Sequence, residues 1–341
     1  MCILRINIKE STMLILGIES SCDETGLALY SEDHGLIAHL VNSQIDLFTE
    51  YGGVIPEIAA RDHSAKIIGI LKQLLKQTDH NLEDINLIAY TAGPGLIGSL
   101  MIGETVAKTI ANVLNIELLP INHLEGHILA PGLEEGGLEP PYLCLLVSGG
   151  HTQIIRCDDY GEYKIIGETI DDACGEAFDK VGKLLNLEYP GGPKVSKLAE
   201  NGDSKRFKFP RAMMKDKNLN FSFSGLKTSV LYALEDLNEE DHADVAASFQ
   251  EAVIDALTTK LMWAVQDTKI HKLVCSGGVA SNKLLRERLK QMAANNNLEV
   301  SYPRMEFCTD NAAMIAYAGF IRKKFKLPTY PTNFARPRWP L

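Results

Sequence analysis

Apolar residues first gather at Leu14 to Ile18, give way to the polar run Glu19 to Thr25, and resume at Gly26 to Tyr30. That rhythm predicts a β-hairpin. It returns in the second half, where Tyr142 to Val147 and Gln153 to Arg156 flank Ser148-Gly149-Gly150-His151-Thr152. Each hairpin is followed later by an apolar run that ends in glycines and enters a helical segment: Ile85 to Tyr90 before Ala92-Gly93-Pro94-Gly95, and Lys272 to Cys275 before Gly277-Gly278. Apolar residues at three- and four-residue spacing predict helices through Ala65, Ile68, Leu71, Leu74 and Leu75, and through Val245, Phe249, Val253, Leu257 and Leu261. Strands and helices alternate, so the class is α/β, and the recurrence of one plan predicts two lobes with a central cleft.

The Pro and Gly cluster from Pro131 to Pro141 is the natural divide. Residues 1–12 read as an N-terminal extension before a strand that begins at Met13, itself a possible start. Residues 13–135 form the first lobe and 136–325 the second, with the glycine turns, while a helix near 310–325 packs back on the first lobe. Residues 326–341 form a basic C-terminal tail.

Composition narrows the function classes. The 341 residues carry a formal net charge of −10, so a polyanionic partner must meet a local basic patch. From Arg322 onward Lys323, Lys324, Lys326, Arg336 and Arg338 appear without any Asp or Glu, which reads as a solvated tail or as such a patch. Seven cysteines include no CxxC pair, which fits reduced thiols in a cytoplasmic protein. No apolar run approaches the roughly 20 residues that span a bilayer.

His123-Leu124-Glu125-Gly126-His127 puts two imidazoles on one helix face, as a metal requires. A zinc peptidase would place Glu directly after the first His; Glu125 instead points away from the metal-facing side. Asp310 is either the third ligand or the N-cap of the helix from Ala312. The turns at Ser148 to Thr152 and Gly277 to Asn282 allow close backbone approach to a phosphate, and the second adds a helix N-terminus. Glu176 and Asp179 share a helix face, and either accept ribose hydroxyls or pair with Lys180 and Lys183. Phe221 to Thr228 suits a phosphate contact or an amphipathic strand. Cys22 lacks a basic neighbour that would activate it.

Taken together, Leu16 to Thr25, His123 to His127, Leu146 to Thr152, Asp171-Asp172 with Gly175 to Lys180, Phe221 to Thr228, Gly277 to Asn282 and Phe307 to Asn311 resemble the TsaD family in order and over nearly the whole chain. The resemblance implies the duplicated fold of actin, Hsp70 and sugar kinases (ribonuclease H-like). It implies transfer of a threonylcarbamoyl group from threonylcarbamoyl-AMP to N6 of adenosine 37 in tRNAs reading ANN codons. By motif, His123, His127 and Asp310 would hold one divalent metal, Fe2+ or else Zn2+. Leu146, Val147, Ser148, Gly149, Gly150, Asp179, Gly192 and Asn282 would contact the adenylate. The implied partners are tRNA, the TsaB paralogue and the TsaE ATPase. Asp23 and Glu24 are candidates for the general base. An older view of the family as a sialoglycoprotein endopeptidase conflicts with the position of Glu125, and Ser196 stands where several members carry an acidic residue.

Overall fold

The computed structural model describes residues 13–215, 217–330 and 334–341, so the expected extension over 1–12 and part of the expected tail lie outside the described residues. The first apolar run forms β1 (Leu14–Glu19), buried throughout, and continues into β2 (Glu24–Ser31) and β3 (Gly35–Ser43). Helices α1 (Ile45–Phe48) and α2 (Pro56–Thr78) lead to β4 (Leu87–Gly93), α3 (Ile97–Leu114) and β5 (Glu117–Asn122). The strands lie in the order β3-β2-β1-β4-β5, antiparallel through the meander and parallel from β1 to β4 to β5. Strands covered on both faces have no solvent side to make polar, which is why β1 and β4 read as unbroken apolar runs.

Helix α4 (His123–Leu129) carries the chain across to β6 (Tyr142–Val147), β7 (Thr152–Asp159) and β8 (Glu162–Glu168). Then come α5 (Cys174–Leu184), α6 (Gly191–Ala199), α7 (Ser224–Leu234) and α8 (His242–Thr268). They precede β9 (Lys272–Ser276), α9 (Lys283–Asn296), β10 (Glu299–Ser301) and α10 (Ala312–Lys324). The second sheet runs β8-β7-β6-β9-β10 with the same strand directions, so it repeats the first strand for strand.

Helix α10 lies on the first sheet rather than beside its sequence neighbours. A Cβ on Gly17 of β1 would stand 2.4 Å from the Ala312 carbonyl oxygen, so only glycine admits the helix this closely. Leu143, Leu145 and Val147 of β6 pack in one core with α5 and α8, while the opposite face holds Cys144 and Leu146 with Leu124 and Ile128 of α4. Helix α4 is therefore lodged between α10 and the second sheet.

Two expectations need correction. On α2 the buried stripe is Ala59, His63, Ile67, Leu71 and Leu74, with Ala65 exposed and Ile68 46% exposed. A histidine replaces an aliphatic residue in the stripe because its ring is needed inside. The end of the chain is also not wholly a solvated tail: Lys323, Lys324, Lys326, Arg336 and Arg338 are exposed, but the segment is anchored. Trp339 joins the core of the first lobe, the Arg336 N–H donates to the Ala92 carbonyl (2.6 Å), and Arg322 is buried in an ion pair. Lys323 pairs with Glu117, and Arg336 lies over the Trp339 ring. Among the described residues no helix is long and apolar enough to cross a membrane.

Candidate functional site

Asn122 ends β5 and caps α4, its Oδ1 accepting the Leu124 N–H at 2.9 Å, so the first helical residue is His123. One turn on, His127 brings its ring to 4.8 Å from that of His123, nearly perpendicular to it. Asp310 Oδ1 stands 3.0 Å from His127 Nε2 and 3.4 Å from His123 Nε2. One ligand atom from each of the three falls within 4.8 Å of the others. Asp310 is not the helix cap: the Asn311 side chain accepts the Met314 N–H at 3.0 Å and does that work.

Behind His123 sits Glu19, which sequence reasoning did not single out. Its Oε2 lies 3.1 Å from His123 Nδ1 and accepts the Thr91 hydroxyl at 2.5 Å, while Oε1 accepts the Ser21 N–H at 2.5 Å. A carboxylate behind a histidine fixes the ring so that the other nitrogen faces the ligand position. The available signal was an acidic residue closing an otherwise wholly apolar strand.

The electrostatics favour a cation. Burial disfavours charge on His123, yet Asp310 and Glu19 override it and hold the imidazole well above its ordinary range. Burial likewise raises Asp310, and the two histidines override it and hold the carboxyl far below the usual carboxylate range. Burial, then Asp310 and Asp23, push Glu24 well above that range. His127 Nδ1 is buried with no hydrogen-bond partner. Two imidazoles and one carboxylate fit a first-row divalent ion, with coordination positions left for substrate.

The glycine turns adjoin this cluster. Helix α4, which carries both histidines, packs through Leu124 and Ile128 on Leu146 near the end of β6, and burial, then the charges of His123 and His127, lower His151 of the β6–β7 turn to about 4. Ser148 closes that turn, donating its N–H to the His151 carbonyl (2.8 Å) and accepting the His151 N–H on Oγ (3.1 Å). Among the described residues neither the Gly149 nor the Gly150 N–H meets a protein acceptor, and a Cβ at either would meet nothing within 4 Å. The fold does not need those glycines; open approach to the backbone is what they preserve. Leu146 and Val147 are fully buried and belong to the floor. Gly277 is different: its φ is +92° and a Cβ would stand 2.4 Å from the Val147 carbonyl oxygen, so it locks the second turn against the first.

Asp179 Oδ1 accepts the Gly192 N–H at 3.1 Å and so fixes the start of α6. Burial raises its pKa, and the charge of Asp23 adds to that rise. Asn282 gives Nδ2 to Gln250 (2.7 Å) and Ser196 (2.9 Å), and its Oδ1 accepts the Leu285 N–H at 3.0 Å. Glu176 leaves the cluster and pairs with Lys180 at 2.9 Å. Phe221 and Phe223 are core residues, and Ser224 opens α7. Burial and Asp23 drive the Cys22 thiol far up, so it is no nucleophile.

A sequence comparison decides between the readings this geometry allows. The model of the family described as TsaD, tRNA N6-adenosine threonylcarbamoyltransferase, matches residues 35–317. The chain belongs to the TsaD family. A tRNA N6-adenosine threonylcarbamoyltransferase of Methylobacillus flagellatus is 50% identical over 333 residues, covering 96% of this chain and 98% of that protein. TsaD membership makes this a transferase acting on tRNA adenosine and removes the peptidase reading. Among solved structures, full-length HypF is similar with a TM-score of 0.64 at 13% identity, over 93% of this chain and 47% of HypF. Component A of the Acidaminococcus fermentans (R)-2-hydroxyglutaryl-CoA dehydratase gives 0.53 at 13% identity, over 92% and 99%. The fold of this TsaD member is the duplicated actin-like α/β fold.

Proposed function

We propose that the chain transfers a threonylcarbamoyl group from threonylcarbamoyl-AMP to N6 of adenosine 37 in tRNAs that read ANN codons, and that a divalent ion held by His123, His127 and Asp310 is required. The observation that carries this reading is the packing of α4, whose two histidines meet Asp310, on the end of β6, which leads into the open Gly149-Gly150 turn. Such an ion, Fe2+ or Zn2+ by the donor set, supplies Lewis acidity to a carbonyl oxygen.

The chain's own residues do the rest. The free N–H groups of Gly149 and Gly150 offer donors to the adenylate phosphate. Asp179, with Gly192 fixed against it, offers a carboxylate to ribose hydroxyls, and Asn282 is held rigid at the edge of the Gly277 turn. The N6 lone pair attacks the carbamoyl carbon, the bond from that carbon to the phosphate oxygen breaks, and AMP leaves. The proton shed by N6 goes to Asp23 or Glu24, the acidic pair on the first turn. The amine is a weak nucleophile, so orientation by the two turns supplies much of the acceleration. In the cytoplasm TsaB and TsaE complete the system, and the lysines around Lys324 and Lys326 contribute to tRNA contact.

The test is mass spectrometry of tRNA nucleosides from cells depleted of this protein and rescued with wild type or His123→Ala. Wild type restores threonylcarbamoyladenosine and His123→Ala does not. An unchanged nucleoside profile under verified depletion, or full rescue by the variant, overturns the reading.

A further inference from the structure

Helix α4 has only seven residues, too few to hold itself together, and every one of them is buried. Its rotation and axial position must therefore come from what grips it. The two histidines lie on one face, and Glu125, two residues beyond His123, lies on the opposite one. Glu125 is completely buried and, among the described residues, meets a single cation, the Arg322 Nη1, at 2.8 and 2.9 Å from its two carboxylate oxygens. The Tyr163 hydroxyl of β8 donates to the same carboxylate at 3.1 Å and that of Tyr330 at 3.3 Å. Arg322 is buried in turn: its Nη2 donates to the Pro328 carbonyl, and its guanidinium lies 4.0 Å from the centre of the Tyr330 ring.

Arg322 belongs to α10, and the residues leading into that same helix carry Asp310. One rigid helix thus touches α4 twice, at the histidine face through Asp310 and at the rear face through Arg322. Between these contacts the two helices approach closely, a Cβ on Gly126 falling 2.9 Å from Ile315 Cδ1. Desolvating two charges is costly, and an apolar pair of similar volume would fill the space at least as well. What an ion pair with four further polar contacts adds is a fixed register.

We propose that the Glu125–Arg322 pair is a positioning device that sets the rotation of α4, so that His123 and His127 meet Asp310 before any ion arrives. It rests on the reading above that these three residues hold a divalent ion. Neither member of the pair touches substrate; both act through α4.

The test is Co2+ titration of the full-length protein, followed by cobalt absorption, beside thermal melting of the metal-free form. Glu125→Leu with Arg322→Met keeps the volume and removes the register. This double variant melts near wild type yet binds Co2+ about tenfold more weakly or worse, the loss typical when support behind metal ligands is removed. Arg322→Lys, which keeps the charge but loses the planar contacts to Tyr330 and Pro328, serves if the double variant does not fold, and it too binds more weakly. Co2+ affinity within twofold of wild type in a folded variant overturns the proposal. Wild type that binds no Co2+, or His127→Ala that binds as well as wild type, overturns the metal site itself.

Discussion

The β1–β2 and β6–β7 hairpins occupy the same place in two sheets of identical strand order, yet their turns are finished in opposite ways. The first is packed with side chains: β1 closes on Glu19, and the turn is held by Ser21, Thr25 and His63. The second is stripped of them, β6 closing on Val147 and handing over to Ser148 and two glycines whose N–H groups stand free. The first turn is backed by a buried carboxylate, and the second leaves its backbone open to approach. Duplication of the scaffold left each half free to finish its turn in its own way.

The comparison breaks most sharply within the second lobe. Gly277→Ala forces an alanine into φ +92° against the Val147 carbonyl, and should cost roughly 3 kcal/mol or more in denaturant unfolding. Gly149→Ala has open space and should shift stability by less than about 0.5 kcal/mol. By calorimetric AMP titration it should nonetheless bind clearly more weakly than wild type. Equal AMP affinity would mean the open turn is only a turn.

Next in size is Glu19. Replacing it with Gln keeps the shape and removes the charge behind His123, which should weaken Co2+ binding by about 10- to 100-fold. Unaltered affinity would show that the first turn needs only its packing.

The smallest effect concerns His63. Its Nε2–H donates to the Cys22 carbonyl at 2.9 Å, so Nδ1 is the acceptor for the Thr25 hydroxyl at 2.6 Å, and the ring must be neutral to do both. Burial lowers its pKa below the usual 6.5. Its contribution to stability is therefore complete above pH 6.5 and is lost as pH falls from there through the depressed folded value. His63→Asn should cost about 1 to 3 kcal/mol at pH 8 and flatten the pH dependence of unfolding below 6.5. Parallel pH profiles for the two proteins would remove His63 from the support of the first turn.

Much of this was legible in the chain because the relevant signals are local. The hairpins, both glycine turns and the i, i+4 histidines can each be read within a window of 17 residues or fewer, and the structure has them where the pattern put them. What stayed hidden is long-range. Glu19 looked like the first polar residue of a turn, Arg322 like one more cation in a basic run, and His63 drew no notice in the pattern. Each is defined by a partner at least 38 residues away. A polar residue inside an apolar pattern was the one available hint, and it does not name its partner.

The placement of α10 also sets a schedule. His127 and Asp310 are 183 positions apart, and at about 5–20 residues per second a ribosome needs on the order of 10 to 40 seconds to get from one to the other. During that interval the nascent chain already carries both histidines and the whole first sheet, with the surface that α10 will cover still bare. A stop codon or frameshift anywhere between His127 and Asp310 therefore yields a product whose histidines lack the facing carboxylate, however well its early half has folded.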